Sequence, residues 1–252
     1  MTRYVFDTSM EGLLTAIFEY YERKPSSVIL VRESNYQPAV FEEALMIASD
    51  KAKAERVWKG LMRKLSSGWL QRFYYAYLSG LPEYDQHLFD FACYIFNGGD
   101  ENNYGNPDVL AIAQADRKVH REKHRMEAFI RFQKTGDGLY FANITPDFNV
   151  LPVIIPHFRN RYADQPWIIY DLKRNYGIHY DLQTVREVTV DFVSEAAVVP
   201  PELSDATEGL YALLWKDYFK NTNIPARRNM KLHLQHVPRR YWKYLTEKQS
   251  DA

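Results

Sequence analysis

The stretch Gly136-Asp-Gly-Leu-Tyr-Phe-Ala-Asn-Ile-Thr-Pro-Asp147 is where the chain changes its habit. Before it, apolar residues recur at helical spacing; within it, residues 139–144 alternate apolar and polar as a strand does. Upstream, a helix is expected over about residues 107–133, with Ile112, Ala115, Val119, Met126 and Phe129 or Ile130 on one stripe. The two glycines around Asp137 end it. Downstream, Pro146-Asp147 is read as opening a further helix to about Tyr162, followed by a strand at 167–171, a hairpin through 173–180 and a strand at 186–193. Helices are expected at about 203–220 and 226–235.

The first half reads differently. Short strands are expected at 3–6 and 28–31, and a helix capped by Thr8 or Ser9 carries Leu13, Leu14, Ile17 and Tyr20 at helical spacing. Three more helices follow at 50–65, 68–79 and 83–96, and the loop at 97–107, with its Gly-Gly and Asn-Pro steps, is the clearest break. The fold class expected is α+β: a mostly helical N-terminal half, then a mixed half with a small antiparallel sheet and C-terminal helices. We expect one domain over residues 1–252, with a helical lobe over about 1–104 and a mixed lobe over about 105–252.

Thirty-two basic residues balance 32 acidic ones, so distribution rather than net charge carries the electrostatic argument. Residues 117–134 hold seven Lys or Arg against Glu122 and Glu127. With Val119, Met126 and Ile130 inward, Arg117, Arg121, His124 and Arg131 fall near the opposite side, with Arg125 beside them. Such a stripe suits a track of phosphates, and equally an ordinary solvated helix face. Residues 216–243 carry eight Lys or Arg against Asp217 alone, interleaved with aromatic residues. There Arg227, Arg228, Arg239 and Arg240 bracket a short helix and suit the planar, two-point grip of a guanidinium on phosphate. Trp242 is either a stacking platform for an unpaired base or a core anchor. Acids concentrate elsewhere: residues 81–108 hold six and no Lys or Arg, and 181–208 hold seven against Arg186.

Three residues are weak catalytic candidates. Asp171 ends an expected strand and would serve as a general base if His157 or His179 lay beside it; the plain alternative is a hydrogen-bonded turn. His120 and His124 are four apart around Glu122, but the spacing matches neither common metalloprotease order and Arg121, Lys123 and Arg125 oppose a cation. No metal and no cofactor are expected. The single cysteine, Cys93, sits among apolar residues and is read as a buried, inert thiol; one cysteine builds neither an internal disulfide nor an iron–sulfur cluster. The N-terminus lacks an apolar signal core and no run has the length of a membrane span, so a cytoplasmic protein is expected.

A resemblance adds context. The pattern Trp215, Tyr218, Pro225-Ala226-Arg227, Asn229 and Pro238-Arg239-Arg240-Tyr241-Trp242 is similar to an uncharacterised bacterial family described as DNA metabolism proteins, as are Val119-His120-Arg121-Glu122, His124-Arg125-Met126 and Gly138-Leu139-Tyr140-Phe141-Ala142. The resemblance runs over most of the chain. It implies a gene neighbour that is a radical S-adenosylmethionine (radical SAM) protein of DNA repair or modification, and in some relatives a fused uracil-DNA glycosylase-like domain. It brings no catalytic residues. The expected function is therefore an accessory protein of DNA repair or modification that binds DNA through basic surfaces and works with a radical SAM partner. Two alternatives stay open: a nucleic-acid-processing enzyme of hydrolase or glycosylase type, and a scaffold whose basic segments bind an acidic protein.

Overall fold

In the computed structural model the described residues are 2–38, 43–189 and 237–248, with Asp205, Leu210 and Leu214 between them. The chain divides into two compact units, Met1–His120 and Arg121–Ala252. The fold class is α+β.

In the first unit, local capping decides where helices start. The Ser9 hydroxyl accepts the Gly12 N–H at 2.8 Å and opens α1 (Met10–Arg23) directly after β1 (Thr2–Phe6). The Asp50 carboxylate does the same for α2 (Lys51–Lys64), accepting the Lys53 N–H at 3.0 Å. β1 lies between β2 (Val28–Arg32) and the short β3 (Ala44–Met46), parallel to both. β3 was invisible to alternation because three residues are too few to show a period. Helices α3 (Ser67–Leu78), α4 (Glu83–Phe96) and the start of α5 (Pro107–Phe129) complete the unit. Its core includes Ile17, Leu61, Phe73, Phe91 and Ile112, none more than marginally exposed, and the Trp69 indole stacks on Phe91 with centroids 5.6 Å apart.

α5 stops at Phe129, four residues short of the sequence expectation. The Arg131 guanidinium turns back and donates to the Ala128 and Ile130 carbonyls at 2.8 and 3.2 Å, satisfying acceptors that the helix end leaves open.

The second unit is built on a sheet of order β4-β5-β6-β7-β8: β4 (Gln133–Lys134), β5 (Tyr140–Ile144), β6 (Trp167–Asp171), β7 (Tyr176–Tyr180) and β8 (Val185–Val188). It is mixed rather than wholly antiparallel. β5 and β6 run parallel because α6 (Leu151–Arg161) joins them as a crossover, while the other pairs are antiparallel. α6 begins at Leu151, not at Pro146, which leaves residues 145–150 as a loop at the carboxyl end of β5. α6 packs through Phe158, whose ring meets Trp167 and Phe132 edge-on at 6.2 and 5.7 Å. Trp167, Ile169 and Asp171 face this side of the sheet together with their cross-strand partners Tyr180, Ile178 and Tyr176. β8 ends at Val188 and Thr189 is outside it; residues 190–193 of the expected strand, most of the helix expected near 203–220 and all of that near 226–235 lie outside the described residues.

Candidate nucleic-acid interface

Beyond Ala113, the exposed positions of α5 are Gln114, Arg117, Lys118, His120, Arg121, His124 and Ala128. No acid is among them. The three acids of the stretch are drawn inward: the Asp116, Glu127 and Glu122 side chains are 21, 11 and 1 % exposed. Arg117, Arg121 and His124 follow at four- and three-residue steps and share one outer face of the helix. Lys118 leans on Tyr84, donating to its hydroxyl at 2.9 Å, and Lys123 pairs with Glu127 at 2.6 Å. Arg125 turns inward, 3.6 Å from Glu122. Arg131 lies beyond the helix as its cap, not on the stripe.

Glu122 belongs to the buried stripe of the helix, continuing the run Ala115, Val119, Glu122, Met126 at steps of four, three and four. A carboxylate at that depth must be matched by donors. The Tyr241 hydroxyl donates at 2.6 Å, the Arg240 guanidinium approaches to 2.9 Å and the Asp147 backbone N–H donates at 3.0 Å. Tyr241 is 2 % exposed, and its ring lies 5.5 Å from Phe129. Burial raises the Tyr241 pKa and the hydrogen bond to Glu122 raises it further, so the phenol stays protonated as a donor. A single acid thereby ties the 3-10 turn at Arg239–Tyr244 to α5 and to the loop after β5. Arg240 also meets the Asp147 carboxylate at 2.5 Å, and the Tyr244 hydroxyl donates to Thr145 at 2.9 Å.

In this Tyr-Trp pair the buried anchor is Tyr241. Trp242 is half-buried; its indole N–H donates to the Val237 carbonyl at 3.1 Å, and Arg239 and Lys248 lie 5.9 and 5.4 Å from its ring centre. Arg239 is exposed at the surface. Arg227 and Arg228 lie outside the described residues.

The catalytic candidates do not converge. Asp171 is fully buried at the carboxyl end of β6, accepts the Lys173 N–H at 2.9 Å and pairs with Arg174 at 2.7 Å. This is a closed turn. His179 pairs across the sheet with Ile168, three residues from Asp171 and on the opposite face, a strand offset of about 10 Å. His157 sits on α6 beside Phe158, about 9 Å along the helix from Leu151, whereas Asp171 is at the Leu151 end. Arg174 also donates to the Pro146 and Asp147 carbonyls at 3.2 and 2.9 Å, which pins the loop after β5. Among the described residues no three His, Cys, Asp or Glu side chains gather as metal ligands.

These features define an α+β protein whose long helix α5 turns Asp116, Glu122 and Glu127 inward and Arg117, Arg121 and His124 outward, and whose second unit is locked by a buried glutamate. The sequence profile of a domain of unknown function, DUF4130, matches residues 82–247, about two thirds of the chain, and the protein belongs to that family. Comparison with curated proteins and with solved structures finds no match. Among the described residues no helix is long and apolar enough to cross a membrane.

Proposed function

We propose that the protein is an accessory factor of DNA repair or modification that binds nucleic acid through basic surfaces and cooperates with a radical SAM partner. The observation that carries the binding half is the outer face of α5, where Arg117, Arg121 and His124 stand exposed while Asp116, Glu122 and Glu127 are turned in. A solvated helix face that only kept the protein soluble would mix both signs. Phosphates along a nucleic acid strand match a row of cations, and each contact releases counterions. Arg239 and the half-buried Trp242 add a cation and an aromatic surface in the second unit. The partner half rests on the family resemblance and on arithmetic: with one cysteine, the chain does not supply the thiolates of an iron–sulfur cluster, so radical chemistry would belong to the partner.

The test is fluorescence anisotropy with single- and double-stranded oligonucleotides at two salt concentrations. The wild-type protein should bind at micromolar concentration or tighter, more weakly in high salt. The double variant Arg117→Ala/Arg121→Ala should lose about tenfold in affinity and flatten the slope of log affinity against log salt by about 1.5. Unchanged binding in a folded double variant removes α5 from the footprint. Co-purification with a radical SAM protein, the gene neighbour that the family resemblance implies, tests the partnership separately.

A further inference from the structure

Arg240 is held at two edges of very different character. On its inner edge one terminal nitrogen meets Glu122, 1 % exposed, at 2.9 Å and the Tyr241 hydroxyl at 2.5 Å. On its outer edge the other terminal nitrogen meets Asp147, whose side chain is 44 % exposed, at 2.5 Å. The inner contacts are buried and shared among several groups; the outer one is a solvent-facing ion pair of the kind worth little against water. Apart from that ion pair, Asp147 is held by its backbone. Its N–H goes to Glu122 at 3.0 Å, and its carbonyl accepts from Arg174 at 2.9 Å and from Lys173 at 3.3 Å. The carboxylate can therefore rotate away about its own side chain while the loop stays in place.

We infer that Asp147 occupies a phosphate position: a nucleic-acid phosphodiester displaces its carboxylate from the outer edge of Arg240, and Glu122 with Tyr241 are the positioning residues that keep the guanidinium aimed outward. The inference deepens the nucleic-acid reading above and rests on it. A guanidinium already ordered by a buried acid loses little further freedom on gripping a phosphate with its outward terminal nitrogen. Lys173, exposed on the turn after β6, and Arg174 add positive charge beside the same loop. In the absence of nucleic acid the aspartate neutralises the outer edge and weakens adventitious binding of anions. The exchange makes and breaks only ion pairs and hydrogen bonds.

The experiment is a double-mutant cycle on oligonucleotide affinity in the full chain, with Asp147→Asn, Arg240→Gln and both together, each checked for an unchanged melting transition. Asp147→Asn keeps the backbone contacts of the loop and should tighten binding about three- to fivefold, in line with removing a weak competing ion pair. Arg240→Gln should weaken binding, and in that background Asp147→Asn should have no further effect. An equal gain from Asp147→Asn with and without Arg240 means simple removal of a negative charge and overturns the exchange. No gain in the wild-type background overturns it as well. If neither the wild type nor Asp147→Asn binds oligonucleotide at low salt, the nucleic-acid reading itself fails and the inference falls with it. Should Arg240→Gln melt early, the guanidinium N–H resonances of Arg240 followed during oligonucleotide titration replace it; resonances unmoved at saturation overturn the exchange.

Discussion

At the scale of single residues the protein depends on a few buried polar groups whose partners come from far along the chain. Glu122 and Tyr241 are 119 positions apart and meet at 2.6 Å. Tyr241→Phe removes one donor from a buried carboxylate and leaves the ring in place, so it should cost about 1.5–3 kcal/mol in urea denaturation. A cost near zero would mean that water or Arg125 replaces the hydroxyl. Trp242→Ala should cost about 1–2 kcal/mol, below the usual price of truncating a fully buried tryptophan, because the ring is only half covered. If Trp242→Ala instead leaves stability untouched and lowers oligonucleotide affinity, its surface role as a stacking platform is the larger one. Cys93 is buried in α4, and burial together with the nearby Asp90 charge pushes its thiol up to about 12. Labelling by a thiol reagent at pH 8 should accordingly be slow in the native protein and fast in denaturant; rapid native labelling would show that α4 opens readily.

At the scale of elements, turns and close approaches set the sheet. The β7–β8 connection is closed by Asp181, whose carboxylate accepts the Thr184 and Gln183 N–H groups at 2.7 and 3.0 Å. Those bonds hold its pKa down at about 2. A depressed carboxylate contributes stability that is complete above its ordinary value near 4 and is lost as pH falls through about 2. Amide shifts of Gln183 and Thr184 should therefore titrate with a midpoint near 2, and Asp181→Asn should abolish that transition. Within β7, a Cβ placed on Gly177 would lie 2.9 Å from the Ile169 carbonyl oxygen and 2.8 Å from the Tyr170 ring. Backbone does not yield cheaply, so Gly177→Ala should destabilise by about 1–3 kcal/mol, read as a lower urea midpoint. Both effects are local to an element and independent of whatever the basic face binds.

At the scale of the whole molecule the net charge is zero while the charges are sorted. Residues 81–108 carry acids without Lys or Arg, and the following helix shows cations outward. Segregation of this kind creates local potential without overall charge. The protein should therefore be retained on heparin at pH 7 and elute with moderate salt, and Arg117→Ala/Arg121→Ala should elute earlier. Flow-through of the wild type would mean that the sorted segments cancel at the surface.

The sequence by itself determined the α+β class, most element positions and the outward place of Arg117, Arg121 and His124 on α5, because period, caps and glycine breaks act within a few residues. Ser9 and Asp50 cap the helices they precede, and the strand at Trp167–Asp171 is legible from its run of β-branched and aromatic residues. The helical spacing that marks Val119 and Met126 as buried also marks Glu122, so that residue is legible in principle, although its charge points the other way. Only the tertiary structure decided that β5 and β6 are parallel, that residues 145–150 form a pinned loop, and that Asp171 closes a turn far from both histidines. It alone brought Glu122, Asp147, Arg240 and Tyr241 together. Pairing direction and buried ion partners depend on where distant segments meet, and no local pattern of residues encodes that.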